Sequence, residues 1–108
     1  MQLLSDVYSL TGKFPPKEAY GLAFQLQRAA VSIPSNIAEG MGRFSIKERM
    51  HFLEISNGSV MEVMCQLEIA NKLGYITTEE LQEQEQKIAA LAKMMIGLRN
   101  KLEEKNNV

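Results

Sequence analysis

The sequence is poor in the residues that build most catalytic and metal sites. It has no tryptophan, one cysteine and one histidine among 108 residues. Cys65 alone can neither form an internal disulfide nor supply a cysteine-based zinc site, and we expect it to be a buried, inert thiol. His51 belongs to a Glu-x-x-His motif, but a di-iron bundle needs two such motifs in one subunit. We therefore predict no catalytic residue, no metal site and no cofactor.

Charge of one sign and long apolar runs are also missing. Twelve basic residues stand against thirteen acidic ones, so the chain lacks the basic excess typical of proteins that bind phosphate backbones. The apolar runs are a few residues long, as in Lys93–Ile96, which predicts no membrane-spanning helix. Because Met1–Asp6 lacks the basic region of a secretory signal, we expect a cytoplasmic protein. The length and an apolar content of 45% predict a single globular domain, residues 1–108.

Helix breakers divide the chain at three places: Gly12–Pro16, Gly40–Phe44 and Gly74–Thr77. Ser45–Glu48 and Thr77–Glu80 match the capping box that starts a helix, and Gly74 suits a left-handed helix end. No segment alternates apolar and polar residues for long enough to predict a strand. The sequence therefore predicts an all-α, up-down four-helix bundle with helices over residues 2–12, 17–40, 46–73 and 78–104.

The second predicted helix differs from the others in two respects. Pro34 lies inside it, removes a backbone hydrogen bond and predicts a kink. The helix also carries a polar stripe beside its apolar one. This stripe is formed by Gln25, Arg28, Ser32, Asn36, Glu39 and Arg43. Glutamine, serine and asparagine suit specific hydrogen bonds better than the mixed Lys and Glu of a solvated face.

The polar stripe has a predicted counterpart on the third helix. If the chain folds back about residues 42–43, residue i lies near residue 85 − i, and Arg28 faces the region of Asn57. Gly58 and its neighbour are small enough for the two helices to approach closely. We predict a polar network at a helix–helix or subunit junction, formed by Gln25, Arg28, Ser32, Asn36, Glu39, Glu54, Ser59 and Glu62. The alternative is an exposed polar face without a partner.

Several segments together resemble one bacterial protein family. The run Gln25–Gly40, QLQRAAVSIPSNIAEG, is similar to the signature of the four-helix-bundle proteins called 23S rRNA intervening-sequence proteins. Phe14–Leu22, Phe52–Ser59 with Glu62, and Leu73–Ile76 resemble the flanking parts of that family. The resemblance covers nearly the whole chain. It implies an up-down bundle that assembles as a homopentameric ring. It also implies a distant kinship with the accessory protein of diversity-generating retroelements, which binds nucleic acid and a reverse transcriptase.

Two functions follow as expectations. The first is a non-enzymatic, homo-oligomeric interaction or scaffold protein, with other copies of itself as partners, pentameric by resemblance. The alternative is an accessory factor that binds RNA or a polymerase through Arg43, Lys47 and Arg49, which a ring would repeat as a basic rim. The alternative is that these three residues lie in a solvated turn with Glu48 nearby and bind no partner. An enzyme is not expected, because nucleophile–base pairs, cofactor loops and metal clusters are all missing from the sequence.

Overall fold

Four α-helices and one short 3₁₀ helix make up residues 1–106, the part of the chain that the computed structural model describes. The helices are α1 (Gln2–Thr11), α2 (Leu22–Met41), α3 (Ile46–Lys72) and α4 (Thr78–Asn106), and the 3₁₀ helix is Pro16–Glu18. Residues 1–106 contain no β-strand. The all-helical fold with four helices is therefore confirmed. None of the helices in this range is long and apolar enough to cross a membrane.

The starts of α3 and α4 follow the predicted capping boxes. The Ser45 hydroxyl accepts a hydrogen bond from the Glu48 N–H at 3.0 Å. At α4 the exchange is reciprocal: Thr77 Oγ1 accepts from the Glu80 N–H at 3.1 Å, and Glu80 Oε1 accepts from the Thr77 N–H at 2.9 Å. These side chains satisfy backbone donors that a helix start leaves without partners.

The end of α3 closes on Gly74, whose φ of 79° lies in the left-handed region. The Gly74 N–H donates to the Asn71 carbonyl at 3.0 Å, and the Tyr75 N–H donates to the Ala70 carbonyl at 2.9 Å. This pair of bonds is a Schellman motif. It reverses the chain within a few residues and sets α4 beside α3.

The start of α2 differs from the prediction of residue 17. The two prolines support only the 3₁₀ turn Pro16–Glu18, and α2 begins at Leu22. The Glu18 carboxylate marks this start, because it accepts hydrogen bonds from the Leu22 N–H at 3.2 Å and the Tyr75 hydroxyl at 2.8 Å. The Tyr75 bond, followed by the Leu22 bond, lowers the pKa of Glu18.

Pro34 lies inside α2, and the helix continues on both sides of it. The kink predicted there stays a prediction. The carbonyl next to Pro34, that of Ile33, accepts a hydrogen bond from the Ser56 hydroxyl of α3 at 2.8 Å. Ser56 is fully buried, so α3 adds a hydrogen bond to the α2 backbone next to Pro34.

The core runs along the α2–α3 contact and is completed by one face of α1 and one of α4. Its fully buried side chains are Val7, Leu26, Ile33, Ser56, Val60, Val63 and Leu67. On α4, Leu81, Ile88 and Met95 are buried, whereas Leu98 is 40% exposed. The apolar face of α4 is therefore less well covered at Leu98 than in the first half of the helix.

Ion pairs and a hydrogen bond hold α1 against α4. Lys87 Nζ donates to Asp6 Oδ2 at 2.5 Å, and Gln84 Nε2 donates to the same oxygen at 3.2 Å. Burial opposes ionisation of Asp6, but these hydrogen bonds outweigh it and lower the pKa of the carboxyl. Lys13 also forms an ion pair with Glu80. A helix of ten residues is marginal alone, so these contacts and its buried face hold α1 in place.

Candidate interaction surface

Helices α2 and α3 run antiparallel and come closest near the turn that joins them. A Cβ placed on Gly40 would lie 2.9 Å from Phe52 Cβ and 3.4 Å from the Arg49 carbonyl oxygen. Only a residue without a side chain fits there. Gly40 was predicted to be the last residue of the second helix, and α2 ends one residue later, at Met41.

The register between the two helices differs from the predicted one. Ser32, predicted to face residue 53, lies against Ser59, with 2.8 Å between their hydroxyl oxygens. The predicted register was therefore wrong by about a turn and a half of helix. The pairing of Ser32 with Ser59 centres the reversal near residue 45 rather than at 42–43, although the helix ends at Met41 and Ile46 lie within one residue of the predicted ones.

Three residues of the predicted polar network meet at the centre of this seam. Asn36 Nδ2 donates to both the carbonyl and the hydroxyl oxygen of Ser32 at 2.8 Å. Ser59 donates its hydroxyl to the same Ser32 oxygen and is only 8% exposed. The result is a compact chain of hydrogen bonds that joins α2 to α3 with no charged member.

The next turn of α2 opens into a polar hollow of about 370 Å³, lined by Gln25, Arg28, Ala29, Ser32 and Glu62. Arg28 is exposed, and its guanidinium carbon lies 5.8 Å from the centre of the Phe24 ring. Within residues 1–106 no ion pair joins Arg28 to Glu54 or Glu62. Arg28 and Glu62 thus share a hollow but leave their charges available to a group placed between them.

The remaining members of the predicted network lie elsewhere. Glu54 lines a separate hollow between α3 and α4, together with Asn57 and Arg99. Glu39 forms an ion pair with Arg43 at 2.6 Å along α2. Neither is bonded to the serine–asparagine chain: the shifted register moves Glu54 away from it, and Glu39 pairs with Arg43 on its own helix.

Apolar side chains flank the polar hollow on the outer surface. On α2, Phe24 and Val31 are 46% and 40% exposed, and Tyr8 of α1 lies beside them in a shallow depression. On α3, an outward row with helical spacing consists of Ile55, Gly58, Glu62, Cys65 and Ile69. We call these residues of α2 and α3, with Arg28, the α2–α3 outer face.

Sequence reasoning missed most of this face. Cys65 was predicted to be buried, and that was wrong: it is exposed, because the buried row of α3 passes through Val63 and Leu67. Gly58 was predicted to permit close approach of α2, yet a Cβ at this position would meet nothing within 4 Å. The apolar residues Ile55 and Ile69 at helical spacing with Gly58 were the available signal, but such a row also fits a buried face.

The predicted basic rim is only partly available. Arg43, besides pairing with Glu39, lies 4.9 Å above the Phe52 ring, and its carbonyl accepts a hydrogen bond from Arg49 Nε at 2.7 Å. Lys47 is exposed. Phe44, between these cations, is 99% exposed. The turn therefore presents one uncovered aromatic ring among basic side chains.

The described part of the chain contains no cluster of three or more His, Cys, Asp or Glu residues that could hold a metal ion. His51 is exposed and packs its ring edge-on against Phe52, with 5.7 Å between ring centres.

Comparison with known proteins identifies the family. The family model described as "23S rRNA-intervening sequence protein" matches residues 1–97. No curated protein matches the chain significantly. Because the family match covers most of the chain and the described residues form four helices, the chain belongs to the 23S rRNA intervening-sequence protein family, which is not a known enzyme family.

Proposed function

We propose that this member of the 23S rRNA intervening-sequence protein family is a non-enzymatic interaction protein that works as a homo-oligomer. The observation that carries the proposal is the α2–α3 outer face, where a polar hollow with uncompensated charges lies among exposed apolar side chains. Monomeric proteins seldom expose such surfaces without using them. The ring of five implied by the resemblance is the assembly we expect.

The size of the surface supports association. The chain exposes 6830 Å², against roughly 6,100 Å² for a compact monomer of its mass. Its radius of gyration is 15.3 Å, where a compact domain of this length has about 13 Å. An elongated subunit with excess surface is typical of proteins that bury part of that surface against a partner.

The polar hollow favours a contact between subunits that contains specific polar pairs over one made only of apolar side chains. Arg28 and Glu62 border the same hollow without pairing to each other. In a ring the contact is heterologous, so this face meets a different face of the neighbouring copy, from which a carboxylate reaches Arg28 and a cation reaches Glu62. We propose that Gln25, Arg28, Ser32, Asn36, Ser59 and Glu62 form the polar part of this junction.

The test is the oligomeric state of matched variants. Val31→Asp places a charge on the proposed face, and Met94→Asp places the same charge on α4 at a side chain that is 59% exposed. Light scattering on a size-exclusion peak is expected to show a smaller assembly for Val31→Asp and no change for Met94→Asp. A monomeric wild-type chain, or equal effects of both variants, contradicts the proposal.

Arg28→Ala tests the polar junction separately. We expect a lower melting temperature and weaker assembly, because the carboxylate that the neighbouring copy places against Arg28 is left without its cation at a buried contact. An unchanged melting temperature together with an unchanged oligomer size would refute the junction.

A second candidate function rests on Phe44. A fully exposed ring beside Lys47 and Arg43 suits stacking on the bases of single-stranded RNA, and an assembly would repeat it once per subunit. Retention on heparin that falls steeply with salt, and absorbance at 260 nm on the size-exclusion peak, would support an accessory factor for RNA or a polymerase. Phe44→Ala should then lower RNA affinity by about 1–3 kcal/mol. Salt-insensitive elution free of nucleic acid contradicts this function.

A further inference from the structure

The side of α4 that borders α3 carries a row of residues outside the core. They follow one another at steps of three and four, and all except Ala92 are exposed. Such steps keep a row on one face of a helix, as in the seam between two packed helices. We call this row the α4 seam, and its members are Glu85, Ala89, Ala92, Ile96, Arg99 and Glu103.

The α4 seam opens onto a hollow of about 480 Å³ between α3 and α4. Ile96 and Arg99 border the hollow on one side, and Glu54 of α3 borders it on the other. Ile96 is 60% exposed. Within residues 1–106 no ion pair involves a charged member of the seam. The seam therefore combines an exposed apolar side chain with charges that have no partner in this part of the chain.

Helix α1 lies on the other side of α4. It is bound there by Lys87, which donates to Asp6. Ile96 follows Lys87 by nine residues, or about two and a half turns, so the two side chains point in opposite directions. The cover that α1 gives to α4 therefore does not extend to the α4 seam.

Helices α2 and α4 run in the same direction, because each is antiparallel to α3. Ser32 of α2 lies against Ser59 of α3, and Glu54 of α3 borders the same hollow as Ile96 of α4. These two pairs set the levels of the three helices along the bundle. A residue of α2 is therefore level with the residue roughly 60 positions later in α4.

A ring joins two different faces of each copy. The α2–α3 outer face and the α4 seam lie on the two flanks of α3, and both look sideways from the bundle. A ring that joins them has its axis along the helices, so neighbouring copies stay level with one another. The helix opposite α2 is then α4 of the neighbour, in parallel orientation, and the spacing of roughly 60 positions also holds between the two copies.

At this level, charges of α2 meet opposite charges of the α4 seam. Glu39 is level with Arg99, and Arg43, one turn later, is level with Glu103. Glu39 and Arg43 already form an ion pair along α2. In the contact the four charges would alternate in sign, so each one lies next to two of the opposite sign.

The first half of α2 continues the match. Arg28 is level with the turn of α4 that follows Glu85. Ser32 is level with Ala92, and side chains of this size let two helices approach closely. The order of charge along α2 is thus positive, negative, positive, and the order along the α4 seam is negative, positive, negative.

We propose that α2 of one copy packs in parallel against the α4 seam of the next copy. The contact rests on the proposed function, because it names the second face of the same ring. Opposite charges in matching order fix the register of such a contact, and like charges disfavour the shifted registers. The pairs between copies are Arg28 with Glu85, Glu39 with Arg99, and Arg43 with Glu103.

The flanks of the bundle are large enough for this contact. The molecule is 51 Å long and 18 Å across its narrowest dimension. One flank therefore offers on the order of 900 Å², and roughly 500 Å² per partner suffices for a specific contact.

Two variants test the pairing of faces, because each spoils one face and keeps the other. Val31→Asp places a charge on the α2–α3 outer face, and Ile96→Asp places one on the α4 seam. Each chain alone is expected to be monomeric by light scattering on a size-exclusion peak. A one-to-one mixture is expected to form a dimer of the two variants, since only one pair of intact faces remains.

The outcomes separate this contact from the proposed function. If Val31→Asp leaves the assembly unchanged, the proposed function fails and this contact fails with it. If Val31→Asp dissociates the assembly and Ile96→Asp does not, the outer face is a junction whose partner is not the α4 seam, and the proposal is overturned. A mixture that stays monomeric overturns it as well.

Charge reversal tests the register. Arg28→Glu and Glu85→Arg, made singly, should each raise the dissociation constant of the assembly by about tenfold or more, because like charges then face each other. Both changes in one chain should return it to within about threefold of the wild-type value. Glu104→Arg, on the same helix outside the seam, should leave it unchanged. A doubly changed chain that assembles no better than either single variant overturns the proposal.

Discussion

Gly40→Ala is the substitution whose outcome the geometry of the α2–α3 contact decides most directly. Alanine in a helix is favoured over glycine by about 1 kcal/mol, so propensity alone predicts stabilisation. The new Cβ, however, would lie 2.9 Å from Phe52 Cβ and 3.4 Å from a backbone oxygen of α3. Phe52 Cβ is attached to the backbone and can retreat only if α3 moves. Overpacking of this kind costs about 1–3 kcal/mol.

The two terms predict a net loss of up to about 2 kcal/mol for Gly40→Ala. Gly97→Ala is the matched control, because it lies inside α4 with nothing within 4 Å of its added Cβ. It keeps the propensity gain of about 1 kcal/mol without the clash. Each kcal/mol moves the melting temperature by about 4–8 °C in a domain near this size.

The assay is urea unfolding followed by circular dichroism, repeated at several protein concentrations because assembly makes the midpoint concentration-dependent. Gly40→Ala should lower the midpoint, and Gly97→Ala should raise it with the same slope. Equal stabilisation by both variants would refute the reasoning, because α2 and α3 would then have room for a methyl group at their closest approach.

Three further outcomes follow from named contacts. Because the pKa of Asp6 is lowered in the folded chain, ionised Asp6 contributes its full stability above the unfolded pKa of about 3.9, and this stability is lost as pH falls through the folded pKa. Asp6→Asn should therefore make the free energy of unfolding less dependent on pH below about pH 5 and remove the contribution of Lys87. Ser56→Ala should cost about 1 kcal/mol in thermal unfolding, since the Ile33 carbonyl loses a buried donor, and no change would contradict that support. Cys65 should react with a thiol reagent in the folded chain, because it is exposed. The reaction should be slower at protein concentrations where the α2–α3 outer face is buried by assembly. Equal rates at all protein concentrations would argue against burial of Cys65 in the assembly.

The helix ends could be predicted because their signals are local. Ser45 with Glu48, Thr77 with Glu80, and Gly74 each specify a cap within a few residues, and the structure forms all three. The register between α2 and α3 could not be predicted in the same way. It depends on how the chain turns between Met41 and Ile46 and on close contacts between the helices, such as that of Gly40 with Phe52, which no local signal specifies.

In the candidate surface, too, some contacts could be predicted from the sequence and others could not. Ser32, Asn36 and Ser59 do meet, because the observed register places Ser59 opposite Ser32. Glu54 does not join them, because a shift of about a turn and a half turns a long side chain towards a different neighbour. The prediction that Cys65 is buried was wrong for a related reason. On a helix with a broad apolar face, the apolar residues next to a position in sequence do not determine whether that position faces the core.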